Sequence, residues 1–162
     1  MIGDRAHLIK TLEDRFVPLV IEHGFRRFPL AGRDQASKEM HVAFPLGYMK
    51  RADGANLQLL EIQFEKRGRA EFVINIGVAQ PDGVTLPWGH FLQNEVGVSG
   101  LAEAYRLYSR PSWMKWFSLA WFPTDRDARA AKLVSRLISL YPEIEGWFAA
   151  RSVGPHLRRF SL

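Results

Sequence analysis

Residues 57–79 read LQLLEIQFEKRGRAEFVINIGVA, and the parity of their apolar positions decides the fold. Leu60, Ile62 and Phe64 hold even positions while Glu61, Gln63 and Glu65 hold odd ones; further on, Phe72, Ile74, Ile76 and Val78 alternate with Glu71, Asn75 and Gly77. A period of two marks a strand with one buried face, so the stretch predicts two strands, Leu57 to Glu65 and Arg69 to Ala79. Residues paired across a hairpin share a face, which requires the two residue numbers of each pair to add to an even sum and excludes a two-residue turn. Pairing Glu65 with Arg69 leaves the loop Lys66, Arg67, Gly68, with Gly68 where such loops need a left-handed backbone. This register sets Ile62 opposite Phe72 and Leu60 opposite Ile74. A shift by two residues would oppose Glu65 and Glu71, and like charges facing each other disfavour it.

Outward from the hairpin, Leu8, Ile9, Leu12, Phe16, Leu19, Val20 and His23 recur at helical spacing and Gly24 follows as a stop, predicting a helix from Asp4 to His23. Pro18 removes a donor inside it, so a kink or two short pieces are expected. Phe25 to Phe28 is a short strand and Leu30 to Glu39 a polar loop. Met40 to Met49 is β-prone around Val42, Phe44 and Tyr48, with Pro45 placing it at an edge or a bulge. A turn falls at Ala52 to Ala55. Pro81, Asp82 and Gly83 end the sheet signal, and the aromatic stretch Pro87 to Phe91 is expected to pack on the domain. Trp113 to Phe122 suits a helix or a buried strand, and the strand is preferred for its β-prone run before Pro123. Thr124 with Asp127 resembles a capping box; Ala130, Leu133, Val134, Leu137, Ile138 and Tyr141 mark one face of the helix that follows. Pro142 is expected to restart a shorter turn carrying Ile144, Trp147 and Phe148. The predicted fold is α+β: a single domain over residues 1–162, with one antiparallel sheet of about four to six strands, N-terminal and C-terminal helices packed on it, and residues 152–162 as a loosely held basic tail.

At 162 residues a domain buries roughly 70% of its unfolded surface, enough for a core without staples. The chain has no cysteine, which removes disulfides, thiol catalysis and thiolate metal sites. Met1 to Lys10 carries Asp4, Arg5, His7 and Lys10 with no apolar run, so no signal peptide or membrane span is expected, and a cytoplasmic location follows. A net charge of +5 permits attraction to nucleic acid, an anionic membrane or an acidic protein.

Chemistry-bearing patterns are sparse. The five histidines are scattered, with no pair three or four residues apart, so no metal site and no cofactor are expected. Ser99 lacks the strand, turn and helix context of a nucleophile elbow. The polar face of the hairpin offers Glu61, Gln63 and Asn75 as ligand-binding candidates, because amides that donate and accept together suit a groove; a covering helix or loop whose backbone the amides satisfy is the simpler explanation of Gln63 and Asn75, and a solvated sheet face the simpler explanation of Glu61 and Glu65. Trp88, His90 and Phe91 form a candidate interaction patch. Arg126, Arg129, Lys132 and Arg136 form a basic stripe on the last helix, although no nucleic-acid motif accompanies it.

The order of elements resembles an uncharacterised bacterial domain-of-unknown-function family. The resemblance rests on a leading helix ending in Gly24, Phe25, Arg26 and Arg27, a strand with a central Gln63, the strand Phe72 to Gly77 carrying Asn75, and the tryptophan segment 113–122 before a C-terminal helix. It implies helices on an antiparallel sheet and supplies no activity and no catalytic residue. The function that ranks first is a non-catalytic binding or protein-interaction module, toxin-neutralising immunity proteins among them. A small enzyme using the polar sheet face ranks second, and a nucleic-acid binder using the basic stripe third. A protein is the expected partner, with no membrane contact and a monomer or weak dimer.

Overall fold

A computed structural model describes residues 3–119 and 125–160. The chain runs through α1 (Asp4–Glu22), β1 (Arg26–Phe28), the short helices α2 (Arg33–Ala36) and α3 (Lys38–Ala43), then β2 (Tyr48–Asp53), β3 (Asn56–Phe64) and β4 (Glu71–Ala79). After a small hairpin of β5 (Val84–Leu86) and β6 (Gly89–Phe91) come β7 (Ala104–Leu107), β8 (Phe117–Ser118), α4 (Arg126–Ala150) and β9 (Leu157–Arg159). Seven strands form one antiparallel sheet in the order β1, β2, β3, β4, β7, β9, with β8 also paired to β4. The α+β class and the flanking helices are as the sequence predicts.

The even-numbered face carries the main core. Leu60, Ile62, Phe64, Phe72, Ile74 and Ile76 pack against Leu8, Leu12, Phe16 and Val20 of α1 and against Val134, Leu137, Ile144 and Trp147 of α4. Burying these side chains is worth about 1.5–3 kcal/mol each, which is why period two in the strands and period 3.6 in the helices point at one another. The odd-numbered face is covered over part of its area by the stretch after β6, where Val96, Val98 and Leu101 close on Leu59, Ala79 and Ala104.

The hairpin register differs from the predicted one. Ile62 faces Ile74 and Phe64 faces Phe72, and the Glu65 N–H donates to the Glu71 carbonyl at 3.0 Å. The loop is therefore residues 66–70, with Gly68 left-handed at φ +86° as expected. The like-charge objection fails because each carboxylate turns to a partner of its own. Glu65 Oε2 accepts from the backbone N–H groups of Arg67 at 2.8 Å and Arg69 at 3.1 Å, while Glu71 accepts from the Ser118 hydroxyl. Arg5 of α1 then donates to the carbonyls of Glu65 and Arg69 and lies over the Phe64 ring.

Other elements correct the sequence pattern. α1 and α4 each run as one helix through Pro18 and Pro142. Both prolines sit on the exposed side, as does Asp14, whose carbonyl loses its donor to Pro18. Where a polar loop was expected, Ser37 caps α3 by accepting from the Met40 N–H, and α3 takes the first residues of the predicted strand 40–49. The strand itself begins after Pro45, as β2. Of the predicted strand 113–122, Phe117–Ser118 is the part that forms a strand among the described residues 113–119, and residues 120–124, including Thr124, lie outside the described residues. Asp125 caps α4, accepting from the Ala128 N–H at 3.2 Å. In the stretch expected as a loose tail, β9 pairs with β7 and buries Leu157, and the Glu143 carboxylate accepts from the His156 N–H at 2.8 Å.

Candidate functional site

Register places the polar candidates in one row. Tyr48, Glu61, Asn75, Arg106 and Arg158 stand side by side across β2, β3, β4, β7 and β9. The Asn75 amide donates to Gln63 Oε1 at 2.7 Å and to Glu61 Oε1 at 3.3 Å, and its oxygen accepts from Arg106 Nε at 2.8 Å. A second Arg106 nitrogen donates to Gln63 Oε1 at 3.1 Å, while the guanidinium lies 4.1 Å from the Phe160 ring centroid and 5.7 Å from that of Trp116. Glu61 Oε2 accepts from the Val98 backbone N–H at 2.9 Å. Asn75 is 1% exposed and Glu61 4%.

These groups therefore answer one another, and the 96–101 stretch closes over Glu61. Gly97 belongs to that arrangement, since a Cβ there would stand 3.4 Å from the Glu61 carboxylate. Burial pushes the Glu61 carboxyl above its ordinary value of 4.5, against the opposing pull of the Val98 N–H, the Asn75 amide and the Arg106 charge. Tyr48 points its hydroxyl to Asp34 at 2.8 Å, and Lys50, on the same face, donates to the Asn94 carbonyl at 2.9 Å. Gln63 is the least covered of the three candidates. The Glu61 carboxylate holds this loop in place from a buried position, where the sequence pattern led to a solvated sheet face.

Sequence reasoning missed Arg106, which lies in a four-residue strand too short to show alternation. It also missed a second arginine centre on the helix side. Arg51 of β2 meets the Glu145 carboxylate of α4 through two nitrogens, at 2.6 and 2.9 Å, and donates to the Gln58 side chain at 2.5 Å and to the His23 carbonyl at 2.8 Å. Its guanidinium lies 4.3 Å from the Phe25 ring centroid. This fork ties the end of α1, two strands and α4 together, which is a structural role.

The basic stripe is only partly available. Arg126 pairs with Asp4 at 2.5 Å, and Arg136 donates to the Ser109 carbonyl at 2.6 Å. Arg129 is half-buried and Lys132 exposed. In the candidate patch, Trp88 is 67% exposed at the turn of the small hairpin and His90 bonds Thr85 at 2.8 Å, but Phe91 packs on the smaller core. The other histidines are engaged too: His7 with Asp127, His23 and His41 with backbone carbonyls, and His156 with Glu143. An open cavity of about 480 Å³ lies elsewhere, between Arg27, Leu30, His41 and Phe44.

Among the described residues, the most exposed large apolar side chain, Trp113, belongs to a loop. β7 pairs with residues 74–77 of β4 and β8 with residues 71 and 72, so the two continue one line along β4 while residues 108–116 bulge out opposite Val73 alone. At the tip, Trp113 is 81% exposed and Met114 63%. The base is closed by Ser109 N–H to Lys115 carbonyl at 2.8 Å and Lys115 N–H to Arg110 carbonyl at 2.9 Å. A sequence signal for it exists in Arg110, Pro111 and Ser112, whose turn chemistry interrupts the apolar run.

Comparison with protein-family models, curated proteins and solved structures finds no match to the chain, so the roles of these residues rest on geometry alone.

Proposed function

We propose that this chain is a non-catalytic binding module that meets its partner with the loop 109–116. One observation carries the reading: Trp113, the most exposed large apolar side chain among the described residues, stands at the tip of a loop whose base is closed by backbone hydrogen bonds. Folding gains nothing from a tryptophan in that position, whereas binding surfaces are enriched in exposed aromatic anchors of this kind. The rival enzyme reading needs Glu61, Gln63 and Asn75 to reach a substrate. Glu61 and Asn75 are buried and are bonded to Arg106, Gln63 and the Val98 N–H. The nucleic-acid reading loses Arg126 and Arg136 to contacts within the fold.

The test compares immobilised wild type and Trp113→Ala against an extract of the native cells. A component retained by the wild type and lost from the variant, at unchanged melting temperature, is the expected result. Identical retained sets from the two would overturn the reading.

A further inference from the structure

We infer that the surface met by this loop is an anionic membrane, with Trp113 and Met114 entering the headgroup region and Arg110 and Lys115 lying over the lipid phosphates. The inference rests on the binding-module reading and adds the chemistry of the partner. Four observations lead to it. First, the tip is convex and small: Trp113 and Met114 stand out together from a bulge anchored at Ser109, through its bonds to Lys115 and to Arg136 of α4. A stable protein interface buries about 800 Å² on each partner, which two side chains on a protrusion do not supply, while a fluid lipid surface closes around such a tip without needing a shaped pocket.

Second, the two side chains suit an interface between water and hydrocarbon. Tryptophan has an apolar body and a polar N–H and settles at headgroup level; methionine is unbranched and adapts to mobile neighbours. A platform for stacked bases would want planar rings in a groove, and the second tip residue has none. Third, Arg110 and Lys115 flank the tip, both are exposed, and among the described residues no carboxylate pairs with either. Cations beside an apolar tip complement an anionic leaflet, and the chain as a whole carries a net charge of +5.

Fourth, Met114 holds a left-handed backbone at φ +46°, where glycine is the usual residue. A large apolar side chain at a left-handed, solvent-facing position is unexplained by folding and is explained by contact. The contact is peripheral, since among the described residues no helix is long and apolar enough to cross a membrane. The sequence pattern predicted no membrane because it offered no span; a penetrating loop leaves no such signature.

The experiment is co-sedimentation of the full chain with vesicles of phosphatidylcholine alone and of phosphatidylcholine mixed with phosphatidylglycerol, for wild type, Trp113→Ala and the double variant Arg110→Glu, Lys115→Glu. Wild type is expected to bind the mixed vesicles about tenfold more tightly than the neutral ones, and to release as salt is raised. Trp113→Ala should lose about tenfold on the mixed vesicles, and the charge reversal should abolish the preference for them. Absence of wild-type sedimentation with the mixed vesicles, equal binding by all three proteins, or a Trp113-dependent shift with single-stranded oligonucleotide but not with vesicles would each overturn the inference. If vesicles fail while a membrane-free extract still yields a component that depends on Trp113, the lipid inference falls and the binding-module reading stands. If Trp113→Ala changes neither measurement, both fall.

Discussion

The odd-numbered face of β3 and β4 and the loop 109–116 treat polar and apolar groups in opposite ways. On the face, Glu61 and Asn75 are drawn away from water and matched to the half-buried Gln63 and Arg106, so the chain's most chemically suggestive residues do structural work. On the loop, Trp113 and Met114 are held out in water. The difference teaches that residue type alone is a poor guide to where this protein acts. What separates the two regions is whether each group already has a partner within the chain.

The largest effect should come from breaking the polar row at its centre. Asn75→Ala removes one acceptor and two donated hydrogen bonds, leaving Arg106, Glu61 and Gln63 incompletely matched. Orphaning buried polar groups of this kind costs about 3 kcal/mol, so the melting temperature should fall by roughly 10 °C in a thermal scan. A fall within scatter of the wild type would mean the row is wet and open, and would restore it as a candidate ligand site. A pH series sharpens the same point. Glu61, with Arg106, Lys50, Tyr48 and Asp34 around it, has its folded-state pKa raised above 4.5 chiefly by burial. Between the unfolded and the raised folded value the native state binds the extra proton, so Glu61 contributes stability below that window that is lost as pH rises through it. Chemical denaturation of Glu61→Gln across this range should show a flatter dependence on pH than wild type; parallel curves would contradict the burial of Glu61.

The even-numbered face was legible because Leu60, Ile62, Phe64, Phe72, Ile74 and Ile76 repeat a period that only a half-buried strand requires, and α1 and α4 were legible for the matching helical reason. The register was not. It turns on where Glu65 and Glu71 send their carboxylates, and the answers, Arg67 and Arg69 backbone on one side and Ser118 on the other, depend on a five-residue loop and on a residue 47 positions away. α2 and α3 were hidden because helices of four and six residues scarcely complete a period. Pro18 and Pro142 misled because their cost depends on whether the freed carbonyl meets water, which sequence spacing does not reveal. Glu61, Gln63 and Asn75 share the odd-numbered face that the alternation marks, but their pairing follows the corrected register, and their cover and Arg106 come from segments distant in sequence. Trp113 was grouped with Trp116 as apolar, and the register of β7 and β8 along β4 was needed to place the excursion between them.

The smallest predicted effect reverses the usual sign. At φ +46° a non-glycine residue costs about 1–2 kcal/mol, while glycine gives back roughly 0.5–1 kcal/mol through the greater freedom of the unfolded chain. Met114→Gly should therefore raise stability by about 0.5 kcal/mol, a shift in melting temperature of roughly 1–2 °C, which careful paired scans resolve. If the loop serves binding, the same variant should hold vesicles less well than wild type although it is more stable, because it removes the 63% exposed side chain beside Trp113. Such an opposition cannot arise in the polar row, where every group that binds also supports the fold. A Met114→Gly protein that is less stable and binds unchanged would place Met114 among the scaffold residues and dissolve the contrast between the two regions.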